Sequence, residues 1–273
     1  MIPMPELPEV ETTRQGILPY CEGQVVTQMH IRERRLRWLI PARLESMLQG
    51  QKILGIDRRS KYLLWRFNNG VMIMHLGMSG VVRVLQEYLP PQKHDHVDIE
   101  LASKVLIRFT DPRRFGAILW TDDITAHKLL MALGPEPLTA DFSAAYLVEK
   151  LKATARPIKL AIMDAHVVVG VGNIYANEAL FLSSLHPERP ANSLSLPECD
   201  ILVQNIKYVL AKAIKAGGTT LKDFLQSDGR PGYFRHELLV YGRKSQPCVN
   251  CAMLLTEIRL NNRSTVFCQQ CQV

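Results

Sequence analysis

The chain has 273 residues, with 33 Lys and Arg against 26 Asp and Glu and a formal net charge of +7 at pH 7; at this length about two domains are expected, each able to bury a core. With 47% hydrophobic and 22% charged residues the composition is that of an ordinary globular protein, and the basic balance favours a polyanionic partner over a neutral one. No window approaches the ~18 uncharged apolar residues of a membrane span, and Glu6 and Glu9 argue against a secretory or transit peptide, so no membrane partner and a cytoplasmic location are expected.

Pro8-Glu9-Val10-Glu11-Thr12-Thr13-Arg14 reads as a helix start, with Pro and acids in the first turn and Val10, Thr13 and Ile17 on one stripe. From Gly23 to about Trp120 the pattern is of short apolar runs broken by turns, at 25–31, 53–56, 62–67, 71–76, 81–85, 97–101, 105–109 and 117–120. Many short strands at regular spacing predict an antiparallel sandwich or barrel, with the N-terminal helix placed against it. After Leu133-Gly134-Pro135-Glu136-Pro137 the apolar period changes from two to about 3.6, which predicts helices over 142–151, 157–163, 173–182 and 197–216. A turn-forming stretch, Asp228-Gly229-Arg230-Pro231-Gly232, then leads to a small cysteine-bearing module. The expected organisation is α+β and multidomain: a sandwich domain over 5–133, a helical domain over 134–238 and a C-terminal module over 239–273.

Cys21 and Cys199 stand alone, whereas Cys248-x2-Cys251 and Cys268-x2-Cys271 crowd the C-terminus. Each Cys-x-x-Cys turn offers two sulfurs to one tetrahedral ion, so this spacing predicts one structural zinc on four thiolates. Between the pairs, Leu254 to Leu260 and Ser264 to Phe267 alternate like strands, with Asn261-Asn262 where a tight hairpin needs positive φ. The segment therefore reads as a zinc ribbon too small to have a core of its own, with Arg263 at or next to its free tip.

Positive charge gathers at Arg32-Glu33-Arg34-Arg35-Leu36-Arg37 and Arg58-Arg59-Ser60-Lys61, and Asp111-Pro112-Arg113-Arg114-Phe115 sets two guanidinium groups beside an aromatic ring. Arginine pairs with phosphate and an apolar side chain can wedge between bases, so this loop together with Met78 could intrude into a duplex. Val169-Gly170-Val171-Gly172-Asn173 opens a helix and could hold a phosphate on its backbone N–H groups; it is equally a plain helix corner.

Pro5-Glu6-Leu7-Pro8-Glu9-Val10-Glu11-Thr12 resembles the mature N-terminus of the bacterial formamidopyrimidine-DNA glycosylases, repair enzymes that remove oxidised purines. The likeness continues through Lys61-Tyr62-Leu63-Leu64, His75-Leu76-Gly77-Met78-Ser79-Gly80, Lys93 to Asp98, Thr110 to Gly116, Gly170 to Tyr175, Gly218 to Phe224 and the ribbon, in a single order over nearly the whole chain. It implies an N-terminal helix with a two-sheet sandwich, a helix–two-turn–helix domain and a zinc finger, with damaged double-stranded DNA bound by a monomer.

The resemblance also implies roles. Pro5 corresponds to the nucleophile whose secondary amine attacks C1′, expels the base and leaves an imine, through which β- and δ-elimination cut the strand. An α-amino group, at a reference pKa of about 7.7–8.0 against about 10.4 for Lys, is far more often neutral near pH 7. Glu6 is similar to the acid/base that opens the sugar, Glu9 to a supporting carboxylate, Lys61 to the proton donor in β-elimination and Arg263 to the arginine of δ-elimination. His94, Arg113 and Asn173 match phosphate-binding positions, Met78, Arg113 and Phe115 match the wedge that replaces the flipped nucleotide, and Lys222 falls in a loop that closes over the everted purine.

Two departures from the family pattern stand out. Met1-Ile2-Pro3 precede the initiator-like Met4, and an N-terminus other than Pro5 would make its nitrogen a non-nucleophilic amide, so removal of the first four residues is expected. Thr154 occupies a position where a basic DNA contact is common in the family, with Lys152 or Arg156 as possible substitutes. The alternatives are the pyrimidine-directed sister enzyme endonuclease VIII, disfavoured by Leu7 and the 218–224 loop, and a non-catalytic zinc-ribbon binder of DNA lesions.

Overall fold

In the computed structural model, which describes residues 5–218 and 237–273, the chain opens with helix α1 (Leu7–Cys21). Glu6 is its N-cap and Pro8 lies in the first turn, where a missing N–H costs no hydrogen bond. Leu7, Val10, Thr13, Ile17 and Cys21 recur every three or four residues and form its buried stripe. Gly23, at φ +78°, takes the left-handed turn that ends the segment.

Eight strands follow, each within a few residues of a predicted run. One antiparallel sheet has the order β1 (Val26–Ile31), β6 (Asp95–Leu101), β7 (Leu106–Thr110), β5 (Val81–Leu85), and the other β2 (Gly55–Arg59), β3 (Tyr62–Phe67), β4 (Gly70–His75), β8 (Ala117–Thr121). Their inner faces share one core, in which Leu63, Trp65, Met72 and Ile118 of the second sheet join Val97, Ile99 and Ile107 of the first, and Val10 and Ile17 of α1. The prediction of a sandwich under an N-terminal helix is met. Helices α2 (Leu44–Leu48) and α3 (Lys128–Met131) are additions, too short to display a helical period.

The chain passes between the sheets twice in quick succession, from β4 to β5 through residues 76–80 and from β7 to β8 through residues 111–116. Both crossings are only a few residues long, so they lie at one end of the sandwich.

The described residues divide into two compact units, 5–131 with Gly217 and Gly218, and 132–216 with 237–273. The second contains α4 (Ala144–Leu151), α5 (Ile158–Ile162), α6 (Asn173–Leu182), α7 (Leu196–Lys215) and the hairpin β9 (Thr256–Leu260) and β10 (Arg263–Phe267). Ser143 Oγ caps α4 by accepting the Tyr146 N–H at 3.2 Å. Ser195 and Glu198 form a capping box at the start of α7. Helix α6 is buried from Ile174 through Phe181, so it has little amphipathic signature. No helix among the described residues is long and apolar enough to cross a membrane.

Candidate nucleic-acid interface

Strand register gathers the predicted residues of the first unit at the end where the chain crosses between sheets. Tyr62 pairs with His75 and His75 with Ala117, so Lys61, Leu76 and Gly116 emerge side by side from one sheet. Asp95 and Val81 both pair with Thr110, so His94, Gly80 and Asp111 emerge together from the other. Lys61 sits with Ser60 in the two-residue turn between β2 and β3, with Ser60 at φ +57°.

Helix α1 brings its N-terminus toward the same end. Arg14 Nη1 donates to the Ile56 carbonyl at 3.3 Å, and Arg58 Nε donates to Glu11 Oε2 at 2.9 Å. Moving back along the helix thus moves forward along β2, toward Lys61, and carries Pro5 and Glu6 with it. Both are buried. The Glu9 carboxylate accepts the Glu6 N–H at 3.0 Å and the Glu6 side chain accepts the Glu9 N–H, a reciprocal cap that fixes both carboxylates. Gly218 lies against Glu9: a Cβ there would come within 3.2 Å of its Oε1.

A cavity of about 710 Å³ opens beside the crossings, lined by Arg35, Leu36, Arg37, His75, Gly77, Met78, Arg113, Arg114 and Phe115. Phe115 is 44% exposed, and the Arg113 guanidinium lies over its ring, 5.0 Å from the centroid. Met78 is half-buried and Arg113 exposed. Arg35 and Arg114 both reach Glu33, whose carboxyl the Arg35 hydrogen bonds hold down at about 2. His75 accepts the Gly77 N–H on Nδ1 at 3.0 Å, and burial, with Lys61 and Arg37 nearby, pushes its pKa down to about 4. The site presents basic side chains, a neutral imidazole and two apolar groups, a combination suited to phosphate and to an opened base stack.

In the second unit the hairpin turn is where the sequence predicts, with Asn261 and Asn262 at φ +46° and +60°. Arg263, paired with Leu260, is exposed next to the turn. Asn173 at the first turn of α6 donates Nδ2 to the Ser264 carbonyl at 3.0 Å, so the structure joins Asn173 to the residue following Arg263. The ribbon shares a core with its neighbours rather than having one of its own: Val266, Leu255, Cys248 and Cys268 pack with Phe181 of α6 and with Val240. It is small because the helix supplies part of it.

The Sγ atoms of Cys248, Cys251, Cys268 and Cys271 all lie within 4.8 Å of one another. A tetrahedron with Zn–S bonds of about 2.3 Å has edges of about 3.8 Å, so the four thiols fit one structural zinc with a closed coordination sphere.

Three buried polar groups were not singled out from the sequence. Lys159, inside the apolar run Ile158–Ile162, is fully buried and donates Nζ to the Ser264 carbonyl at 3.0 Å and to Thr265 Oγ1 at 2.6 Å. Glu178 accepts the consecutive N–H groups of Leu239, Val240 and Tyr241 at 2.8 to 3.0 Å. Asp111 is fully buried between the two crossings. A charged residue inside an apolar stretch was the available signal for Lys159 and Glu178. Near Thr154, Lys152 pairs with Glu149, and Arg156 with Asp164 at 2.9 Å. Lys222, the 227–233 stretch and Met1 to Met4 lie outside the described residues.

A helix-backed two-sheet sandwich, a helical unit and a four-cysteine ribbon define the class: an α+β protein with a zinc finger. Family models agree along the chain, with the formamidopyrimidine-DNA glycosylase N-terminal domain matching residues 4–118, its H2TH domain 133–225, and the zinc finger found in FPG and IleRS 245–273. The formamidopyrimidine-DNA glycosylase of Saccharophagus degradans is 56% identical over 98% of this chain and 100% of its own length, and that of Escherichia coli O7:K1 52% identical over the same shares. Among solved structures, the MutM (Fpg) protein of Thermus thermophilus superposes with a TM-score of 0.88 at 39% identity, covering 98% of both chains. The wild-type Lactococcus lactis Fpg in complex with DNA containing N7-benzyl-Fapy-dG does so at 0.90 and 34%, covering 98% of this chain and 99% of that one. The chain belongs to the formamidopyrimidine-DNA glycosylase family.

Proposed function

We propose that this protein is a base excision repair enzyme, a DNA glycosylase with abasic-site lyase activity, that removes oxidised purines from duplex DNA as a cytoplasmic monomer. The observation that carries this reading is the convergence of the Pro5–Glu6 helix start, the Lys61 turn and the Met78, Arg113 and Phe115 crossings at one end of the sandwich. Family membership and the DNA complexes of the Lactococcus lactis relative support it.

The Pro5 nitrogen, as a free secondary amine, attacks C1′ of the damaged nucleotide. The N-glycosidic bond breaks, the base leaves with its electron pair and a proton, and an iminium joins protein to sugar. Glu6, buried and held by its cap, exchanges the proton that opens the sugar ring. The iminium acidifies C2′, whose proton passes to solvent; the C–H electron pair flows toward the iminium and then expels the 3′ phosphate, to which Lys61 supplies a proton in this β-elimination. The δ-elimination assigned to Arg263 then releases the 5′ phosphate. His94, Arg113 and Asn173 hold phosphates, and Met78, Arg113 and Phe115 occupy the gap in the stack. Lys222 is proposed to contribute to DNA binding. Boundaries near 133 and 238 are proposed to separate the catalytic, DNA-binding and zinc modules.

The test is a single-turnover comparison of duplexes carrying 8-oxoguanine opposite cytosine with duplexes carrying thymine glycol. Preferential cleavage at 8-oxoguanine is expected. Preference for thymine glycol would point to the pyrimidine-directed sister activity instead.

A further inference from the structure

We propose that Asp111 is the positioning residue of the DNA wedge, a buried carboxylate that locks both sheet-to-sheet crossings, and with them Met78, Arg113 and Phe115, into one rigid body before DNA arrives. The inference rests on the wedge reading given above.

Asp111 follows β7 and has no exposed surface. Its Oδ1 accepts the Ser79 hydroxyl at 2.6 Å, and the Arg113 N–H at 3.3 Å; its Oδ2 accepts the Gly116 N–H at 2.7 Å. Ser79 Oγ in turn accepts the Arg113 N–H at 3.2 Å. One carboxylate thereby ties the residue after Met78 to the backbone on either side of the Arg113–Phe115 segment. Its own main chain extends the tie to a third DNA-facing segment: Asp111 N–H donates to the His94 carbonyl at 3.0 Å, and its carbonyl lies 2.8 Å from His96 Nε2.

The crossings also touch backbone to backbone. A Cβ on Gly77, at φ +65°, would lie 2.3 Å from the Phe115 carbonyl carbon and 2.4 Å from the Gly116 nitrogen. One on Gly116 would lie 2.6 Å from Phe109 Cζ and 2.9 Å from the His75 carbonyl oxygen. Neither segment can shift alone without breaking a bond to Asp111.

Asp111 differs from the other buried acids of the sandwich. Asp95 and Asp98 are paired with Arg83, Arg32 and Arg108, whereas among the described residues Asp111 is held by hydroxyl and backbone donors and by no cation. Among the described residues the Arg113 guanidinium makes no ion pair and rests on the Phe115 ring. A wedge must force apart stacked bases at a cost of a few kcal/mol, and a loop ordered in advance spends less of its contact energy on its own ordering.

Asp111→Asn keeps the shape but replaces an acceptor oxygen with a donor, and Ser79→Ala removes the link to the Met78 turn. Both variants are checked for zinc content and melting temperature. Excision of 8-oxoguanine from a duplex is then compared with cleavage at a preformed abasic site, which has no base to evict, with 2-aminopurine opposite the lesion reporting unstacking. The ratio of excision to abasic cleavage should fall on the order of tenfold in Asp111→Asn and a few-fold in Ser79→Ala, with a weaker 2-aminopurine signal in both. A general structural defect would lower the two activities together; that result, or an unchanged ratio and signal, overturns the proposal. Should Asp111→Asn not fold, Ser79→Ala decides by the same readouts. Wild-type protein that neither excises nor cleaves would overturn the functional reading itself, a distinguishable failure.

Discussion

Single residues at the sandwich end carry chemistry that their surroundings dictate. His75 accepts a hydrogen bond on Nδ1 from Gly77, which places the proton of the neutral ring on Nε2, and burial beside Lys61 and Arg37 holds its pKa near 4. The native ring thus binds a proton less readily than an unfolded histidine of pKa about 6.5. Between those two values the unfolded state carries more protons, so stability is full above about pH 6.5 and lost as pH falls toward 4. Urea unfolding of wild type and His75→Gln between pH 7 and pH 4 should show wild type losing up to about 3 kcal/mol relative to the variant. A constant difference across that range would show that His75 does not titrate as its surroundings imply. Residues of this kind were only partly legible: Pro5, Lys61 and Arg113 stood in recognisable motifs, while His75 stood in one without a role. Asp111 stood in a loop whose signal came from its arginines and its phenylalanine; its own importance arises from two chain crossings that meet only in three dimensions.

At the scale of elements, short apolar runs between turns located the eight sandwich strands and the helical period the main helices, although α6, buried from Ile174 through Phe181, shows little of that period. Helices α2 and α3, of five and four residues, are set by tertiary packing and have no period to read. The ribbon's cysteines and turn were legible from spacing alone. Its attachment to α6 was not, since it depends on Lys159, Asn173 and Asn177 bonding to Ser264, Thr265 and Val266. Lys159→Met preserves volume and removes both donated bonds, one of them to a carbonyl that Asn173 also reaches. A loss of about 1–3 kcal/mol in unfolding free energy is expected, with earlier proteolysis within 256–267. An unchanged unfolding midpoint and cleavage pattern would mean that the buried lysine does not anchor the hairpin.

For the whole molecule, the net charge of +7 resolves into sets of cations within each unit: Lys61 and the arginines lining the cavity in the first, Arg263 beside a metal-bound hairpin turn in the second. The family and the proposed reaction give those charges a common partner in DNA phosphates, and Pro5 gives them a chemical purpose. That purpose depends on a free amine at residue 5, although four residues precede it in the chain. The direct measurement is borohydride trapping of the native protein on a duplex containing 8-oxoguanine, followed by mass analysis of the adduct. The account predicts a covalent protein–DNA complex joined through the nitrogen of an N-terminal Pro5. Strand cleavage without an adduct, or an adduct on protein that retains Met1, would contradict it.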